Sequence, residues 1–179
     1  MPEPVPYQAT ELGAAYRSIG RLPVAVLLHN VRSLYNVGAF FRTVDAVRAE
    51  KLYLSGFTGY PPHAGISKTA LGAEQTVAWQ RSNDPRQVVD ELRARGYELA
   101  AIETSLRAVD LFDWQPVFPV CVLFGHEVDG LDKELLERSD THVRIPMLGL
   151  KQSLNVATAG GVVLYELLRK YRRLAEAAR

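Results

Sequence analysis

The chain is poor in the features that would announce a class at once. Its single cysteine, Cys121, sits inside an apolar run. That excludes an intrachain disulfide and a cysteine zinc cluster. No resident metal is expected, and a cytoplasmic setting is the simplest one for a chain without disulfides. Charge of one sign is also missing: 21 Lys and Arg face 20 Asp and Glu, a formal net charge of +1. A cationic field over the whole surface is thereby excluded, so contact with a polyanion must be a local patch. No apolar run approaches the roughly 20 residues of a membrane span, and no membrane partner is expected. The first residues lack a basic start followed by an apolar segment, so no signal peptide is expected. The chain has no G-x-G-x-x-G, no phosphate-binding P-loop, no H-E-x-x-H and no G-x-S-x-G. Dinucleotide-binding, kinase, metalloprotease and α/β-hydrolase readings lose their support.

What is present suits one domain over residues 1–179, with 1–20 as an N-terminal extension. The composition, 47% hydrophobic and 23% charged, is that of an ordinary globular chain able to bury a full core. Strands are predicted at Val24–Leu28, Lys51–Ser55, Thr76–Trp79, Glu98–Ile102, Pro119–Phe124 and Thr141–Ile145. Helices are predicted at Thr10–Ile19, Val37–Val47, Ile66–Gly72, Pro85–Arg95, Lys133–Arg138 and Asn155–Leu174. Two of the strands, VAVLL and VCVLF, are apolar at every position, as strands buried on both faces are. Strands alternating with helices predict an α/β fold, a mostly parallel sheet with helices on both faces. The last helix carries an apolar stripe at Val156, Ala159, Val163, Leu167, Tyr171 and Leu174, at helical spacing.

Ligands of such sheets gather at the carboxyl ends of the strands, and three segments there hold unusual residues. The first runs from His29 to Thr43, with Asn36 placed to cap the helix that carries Arg42. The second, Gly125-His126-Glu127-Val128-Asp129-Gly130-Leu131, follows an apolar strand; its glycines permit a tight turn. The third runs from Ile145 to Glu166. Ser153 and Asn155 can cap its helix. Gly160 and Gly161 follow, each costing a helix roughly 1 kcal/mol against alanine. Two adjacent glycines there imply that a ligand or another stretch of chain passes close to the backbone.

These three segments resemble, in order and spacing, the motifs of the SpoU (TrmH-type) RNA 2′-O-ribose methyltransferases of the SPOUT class. The matches are Asn36-x-Gly38-x-x-x-Arg42-Thr43, then Gly125-x-Glu127-x-x-Gly130-Leu131. The third is Ile145-Pro146-Met147 followed by Ser153-Leu154-Asn155-Val156-Ala157 and Tyr165-Glu166. The resemblance covers about Val24 to Tyr171; Ala157 departs from it, since many relatives have serine there. It implies a C-terminal trefoil knot, S-adenosylmethionine bound in that knot, and a homodimer with sites at the subunit interface. The implied reaction is methyl transfer to a ribose 2′-hydroxyl of tRNA or rRNA.

The resemblance also assigns residues. Backbone groups of Leu123, Gly125, Ile145, Met147 and Leu154 are expected to hold adenine and ribose, with Gly130, Ser153 and Thr104 as further cofactor contacts. Ser105 is a weaker candidate. Arg42 is expected to hold the RNA phosphate and the developing alkoxide bidentately, since a neutral arginine is costly; the general base stays open. Asn36 orients Arg42 or the ribose, or caps its helix. Glu127 bonds Asn155 or Arg42. Ser153 and Asn155 face the substrate or the sulfur end of the cofactor. Arg32, Arg42, Arg48 and Lys68 are expected to form a basic rim for RNA, with Arg17 and Arg21 beside it. His126 invites a general-base reading, since histidine titrates near neutrality, but its place in the matching motif is variable and an exposed loop residue is the preferred reading; His29 and His63 read as loop residues. Two alternatives stay open: a silent RNA-binding protein of the same fold, and methylation of a base.

Overall fold

The computed structural model describes residues 20–177. The expected helix at Thr10–Ile19 and Arg17 lie outside them. Among the described residues, seven strands form one sheet: β1 (Leu22–His29), β2 (Ala49–Ser55), β3 (Trp79–Ser82), β4 (Glu98–Ile102), β5 (Val109–Asp110), β6 (Val120–Phe124) and β7 (Thr141–Arg144). Their order is β3-β2-β1-β6-β4-β7-β5, and every pairing is parallel. All carboxyl ends therefore lie on one edge. The helices are α1 (Leu34–Val47), α2 (Ala64–Ala70), α3 (Ala73–Thr76), α4 (Pro85–Ala94), α5 (Lys133–Arg138) and α6 (Val156–Ala177). None among the described residues is long and apolar enough to cross a membrane.

The unbroken apolar strands divide between two cores. Val24, Val26 and Leu28 of β1, with Val120, Val122 and Phe124 of β6, face the core that includes residues of α1 and α6. Ala25, Leu27, Cys121 and Leu123 face the opposite core, with Val88, Val89 and Leu92 of α4 and Leu135 of α5. Alternate side chains point to opposite faces, so a strand covered on both sides must be apolar throughout.

Several boundaries differ from the expected ones. Thr76 ends the one-turn helix α3, and β3 begins three residues later, at Trp79. Strand β5 has only two residues and offers no period to read. Helix α1 is capped by Ser33, whose Oγ accepts from the Asn36 amide at 3.3 Å; Asn36 lies inside the first turn. Asn155 alone caps α6, its Oδ1 accepting from Ala157 and Thr158 at 2.9 and 3.2 Å. The apolar stripe of α6 holds through Tyr171, whose ring packs on Phe118 at 5.1 Å, but Leu174 is exposed.

The adjacent glycines of α6 separate into two cases. A Cβ at Gly160 would sit 2.3 Å from the Phe40 ring, whereas one at Gly161 meets nothing within 4 Å. The close neighbour of Gly160 is thus a core side chain of α1. About two turns before its end, α6 carries the buried Lys170. Its ammonium donates to the carbonyls of Leu111 at 2.8 Å, Phe112 at 3.2 Å and Trp114. That contact binds the segment between β5 and β6 to the C-terminal helix.

Candidate active site

The three segments singled out in the sequence meet at the carboxyl edge of the sheet, and a carboxylate joins them. Glu127, in the loop after β6, accepts from the backbone amides of Arg32 and Ser33 at 2.9 and 3.0 Å. It also accepts from Asn36 Nδ2 at 3.0 Å. Asn36 Oδ1 in turn accepts from Asn155 Nδ2 at 3.1 Å. Glu127 therefore reaches Asn155 through Asn36 and does not touch Arg42. Partial burial raises the Glu127 carboxyl's pKa, but the two amides and Asn36 outweigh it and leave the value below the usual glutamate range. The group is held ionised, because hydrogen bonds to the charged form favour that form.

Glu127, at one end of this line of side chains, also lines a cavity of about 240 Å³ between the loops after β4, β6 and β7. Ile102, Phe124, Val143, Ile145, Val156 and Ala159 give it apolar walls; Thr104, Glu103, Glu127, Gln152 and Ser153 supply polar groups. Of the residues expected to contact a cofactor, Thr104, Gly125, Gly130, Ile145, Met147, Ser153 and Leu154 line it. Leu123 does not: its side chain is fully buried in the opposite core. Ser105 is turned away, its hydroxyl 2.8 Å from His142 Nδ1. The loop after β6 folds tightly on itself. A Cβ at Gly125 would meet Gly130 backbone at 2.2 Å, and the amides of His126 and Gly130 exchange hydrogen bonds.

Glu103 was not singled out in the sequence. Its carboxylate accepts from the Thr104 and Leu131 amides at 2.9 and 3.2 Å. It also fills the space beside Gly130, where a Cβ would lie 2.3 Å away. The signal was available: Glu103 is the first residue past β4, at a strand carboxyl end like the others.

Arg42 is exposed, makes no hydrogen bond or ion pair among the described residues, and does not line the cavity. Arg48 does not join the expected basic rim. Helix α1 runs back along the sheet for 14 residues, about 20 Å at 1.5 Å per residue. That carries Arg48 to the amino-terminal edge, where its carbonyl accepts from the Leu22 amide at 2.9 Å, next to Arg21. Arg32 and Lys68 stay on the site's side, in the loop after β1 and on α2.

The histidines are more than loop residues. His126 Nδ1 accepts from the Asp129 amide at 3.1 Å and lies 2.9 Å from the Asp129 carboxylate, so the ring organises its own turn. His29 is buried at the end of β1, between Ser55 Oγ at 2.9 Å and Asp132 at 3.1 Å. Burial lowers its pKa against the pull of Asp132. His63 caps α2.

Known proteins resemble this chain in both sequence and shape. A "Putative TrmH family tRNA/rRNA methyltransferase" of Staphylococcus haemolyticus is 27% identical over 157 residues; the match covers 88% of this chain and 63% of that protein. The chain thus spans less than two thirds of that relative. The tRNA (guanosine(18)-2'-O)-methyltransferase of Thermus thermophilus is 34% identical over 147 residues, covering 82% of this chain and 75% of that one. A solved structure of the SpoU methyltransferase AviRb from Streptomyces viridochromogenes, in complex with the cofactor AdoMet, superposes with a TM-score of 0.79. It is 27% identical and covers 87% of this chain and 63% of that one. The description of the SpoU rRNA Methylase family matches residues 23–165. That span takes in all three loops joined through Glu127, and by it the chain belongs to the SpoU rRNA Methylase family.

Proposed function

We propose that this chain transfers a methyl group from S-adenosylmethionine to a ribose 2′-hydroxyl of tRNA or rRNA. The observation that carries the reading is the hydrogen-bonded line from Glu127 through Asn36 to Asn155 at the mouth of a cavity. It makes one site of three segments far apart in sequence. The Thermus relative is named for a transfer of this kind, and the AviRb structure holds this cofactor.

The residues present fit the cofactor. Apolar walls from Ile102, Phe124, Val143 and Ile145 suit the faces of an adenine. The carboxylates of Glu103, Glu127 and Asp129 stand around a cavity that must accept a sulfonium and an ammonium. The tight Gly125–Gly130 turn admits a ligand close to backbone. Bound there, the cofactor supplies an electrophilic methyl group. The protein's own work is to place the hydroxyl, to hold the phosphate beside it and to stabilise charge on the oxygen as its proton leaves. Asn36, fixed on one side by Glu127 and on the other by Asn155, presents a rigid amide to the ribose. Ser153 borders the same opening.

Arg42 completes the site in a homodimer, in which the copy supplying Arg42 faces the cavity of the other. Its lack of a partner among the described residues supports this, as do the open space at Gly161 and the exposure of Tyr165 on α6. We also propose that the C-terminal segment is knotted. Strand β5 pairs with the outer edge of β7, and the chain then crosses α6 at Lys170 before returning to β6 on the far side of β4. A chain that takes this route can loop around the passage from β7 to α6, and this supports the knotted reading.

The test is incubation of the purified protein with methyl-labelled S-adenosylmethionine and bulk RNA. Label is expected in RNA for the parent and at least 100-fold less for Arg42→Ala, the loss typical of one transition-state donor. No label in any RNA, with the cofactor bound, would leave a silent RNA-binding protein as the better reading.

A further inference from the structure

The turn after β2 is built with unusual care for a segment that ends in an exposed phenyl ring. Gly56 adopts φ +64°, and a Cβ there would fall 1.9 Å from Asn30 Oδ1. Asn30 is itself left-handed, at φ 59°. Its Oδ1 accepts the Phe57 amide at 3.1 Å, and its Nδ2 lies 2.9 Å from His29 Nε2. The Ser55 carbonyl accepts both the Thr58 and the Asn30 amides at 3.2 Å. The Thr58 hydroxyl donates to the Leu28 carbonyl at 3.2 Å and accepts the Val31 amide at 3.0 Å. Left-handed residues of this kind persist only where surrounding contacts over-determine them. At the tip, Phe57 is 60% exposed, with its edge against the His126 ring at 5.9 Å between centroids. His126 lines the candidate cofactor cavity. The turn therefore holds an apolar ring in water, in a fixed pose, beside the site.

The ring has company of one chemical kind. Tyr60, in the same loop and 40% exposed, has the Arg81 guanidinium over its ring at 4.3 Å. Tyr35, in the first turn of α1, has the Lys68 ammonium at 5.8 Å. Arg32 leaves the loop after β1 beside them. The nearby acids have partners of their own: Asp129 lies 2.9 Å from His126 Nδ1, Asp132 lies 3.1 Å from His29 Nε2, and Glu127 accepts the Arg32 and Ser33 amides. Flat π faces interleaved with cations match unpaired nucleotides, whose bases stack on aromatic rings while their phosphates meet Arg and Lys. A surface built to pack on another protein copy would replace those cations with apolar area at its centre.

We propose that Phe57, on its clamped turn, is the stacking platform for an unpaired base of the RNA, next to the nucleotide to be methylated, with Tyr60–Arg81 continuing the track. The proposal rests on the RNA-methylating reading of the same site. It explains why Asn30 and Gly56 adopt conformations that no secondary structure requires.

The experiment compares Phe57→Ala, Phe57→Leu and Phe57→Trp with the parent, in full-length protein. Steady-state methyl transfer is measured against RNA concentration, and binding of a fluorescent unstructured oligoribonucleotide is measured separately by anisotropy. Loss of the ring in the Ala and Leu variants raises the KM and the oligonucleotide Kd roughly tenfold, the order of one base–aromatic stack. Phe57→Trp keeps both near the parent values. In all three, kcat at saturating RNA, S-adenosylmethionine affinity and dimer mass stay unchanged. A Phe57→Leu protein that binds like the parent overturns the proposal, because an apolar contact without a π face would then suffice. So does Phe57→Ala within twofold of the parent, or a dimer that dissociates in Phe57→Ala. Should the parent bind the oligonucleotide yet methylate no RNA, the catalytic reading fails and the anisotropy series still decides the role of Phe57.

Discussion

Gly160 and Gly161 are neighbours of the same type in one helix, and alanine at each should have opposite effects. In both places alanine removes the propensity penalty of glycine, a gain of roughly 0.5–1 kcal/mol. At Gly161 nothing opposes the gain, because a Cβ there meets nothing within 4 Å. At Gly160 the Cβ would lie 2.3 and 2.5 Å from two carbons of the Phe40 ring. Phe40 is 1% exposed and stacked edge-on against Phe124 at 5.0 Å. It can yield only by displacing the core under the cavity wall. Overpacking of that kind costs about 1–3 kcal/mol, so Gly160→Ala should be destabilising by a net of about 1 kcal/mol. For a chain of this size each kcal/mol moves the melting temperature by roughly 2–4 °C. Thermal unfolding followed by circular dichroism should then place Gly160→Ala a few degrees below the parent and Gly161→Ala slightly above it. A Gly160→Ala protein melting at or above the parent would refute the packing argument. A Gly161→Ala protein that melts lower, with a loss of dimer, would mean that the second copy occupies the open side of α6.

Other substitutions probe other joints. Lys170→Met removes an ammonium that three buried or half-buried carbonyls share, and should cost about 2–4 kcal/mol in denaturant unfolding; a change below about 0.5 kcal/mol would contradict the clamp. Glu127 is held below its usual titration range, so its contribution is complete above the unfolded-state value of about 4.3 and is lost as pH falls through the lower folded value. Glu127→Gln should therefore flatten the acid limb of the stability profile below that pH; an unchanged limb would count against the hydrogen-bonded carboxylate. If one copy's Arg42 serves the other's Asn155, mixing Arg42→Ala with Asn155→Ala should restore about a quarter of parental activity, through the one intact site of each mixed dimer. No recovery in verified mixed dimers would place both residues' action within one copy. RNA affinity should fall with salt, and Arg42→Ala should lower the slope of log K against log salt by about 0.7; an unchanged slope would remove Arg42 from the phosphate contacts.

What the sequence made legible follows from how much each position is constrained. Strands β1 and β6 announce themselves because both faces are covered, which forces apolar residues throughout. Strand β3 was misplaced because it lies at the sheet edge, carries Gln80 and Arg81 in the open, and follows a helix of one turn. Strand β5 is two residues held by β7 alone; tertiary pairing makes it, and no local pattern could. Asn36, Glu127 and Asn155 were legible as motif members, but their connection was not. That Glu127 reaches Asn155 only by way of Asn36 depends on where three loops end in space. The basic rim is broken for a similar reason: helix α1 runs from the carboxyl edge of the sheet to the amino edge, so Arg48 at its end lies away from Arg32 and Lys68. The clamped turn at Phe57 was invisible, because its rigidity comes from Asn30, a residue 27 positions away.

The central claim is that the line Glu127–Asn36–Asn155 serves methyl transfer to ribose. Digestion of RNA modified by the parent protein with labelled S-adenosylmethionine, followed by mass measurement of the nucleosides, tests it most directly. The account predicts that the added methyl stays with the sugar on glycosidic cleavage, and that Asn36→Ala abolishes it while cofactor binding persists. A methyl group found on a base, or transfer undiminished in Asn36→Ala, would contradict it.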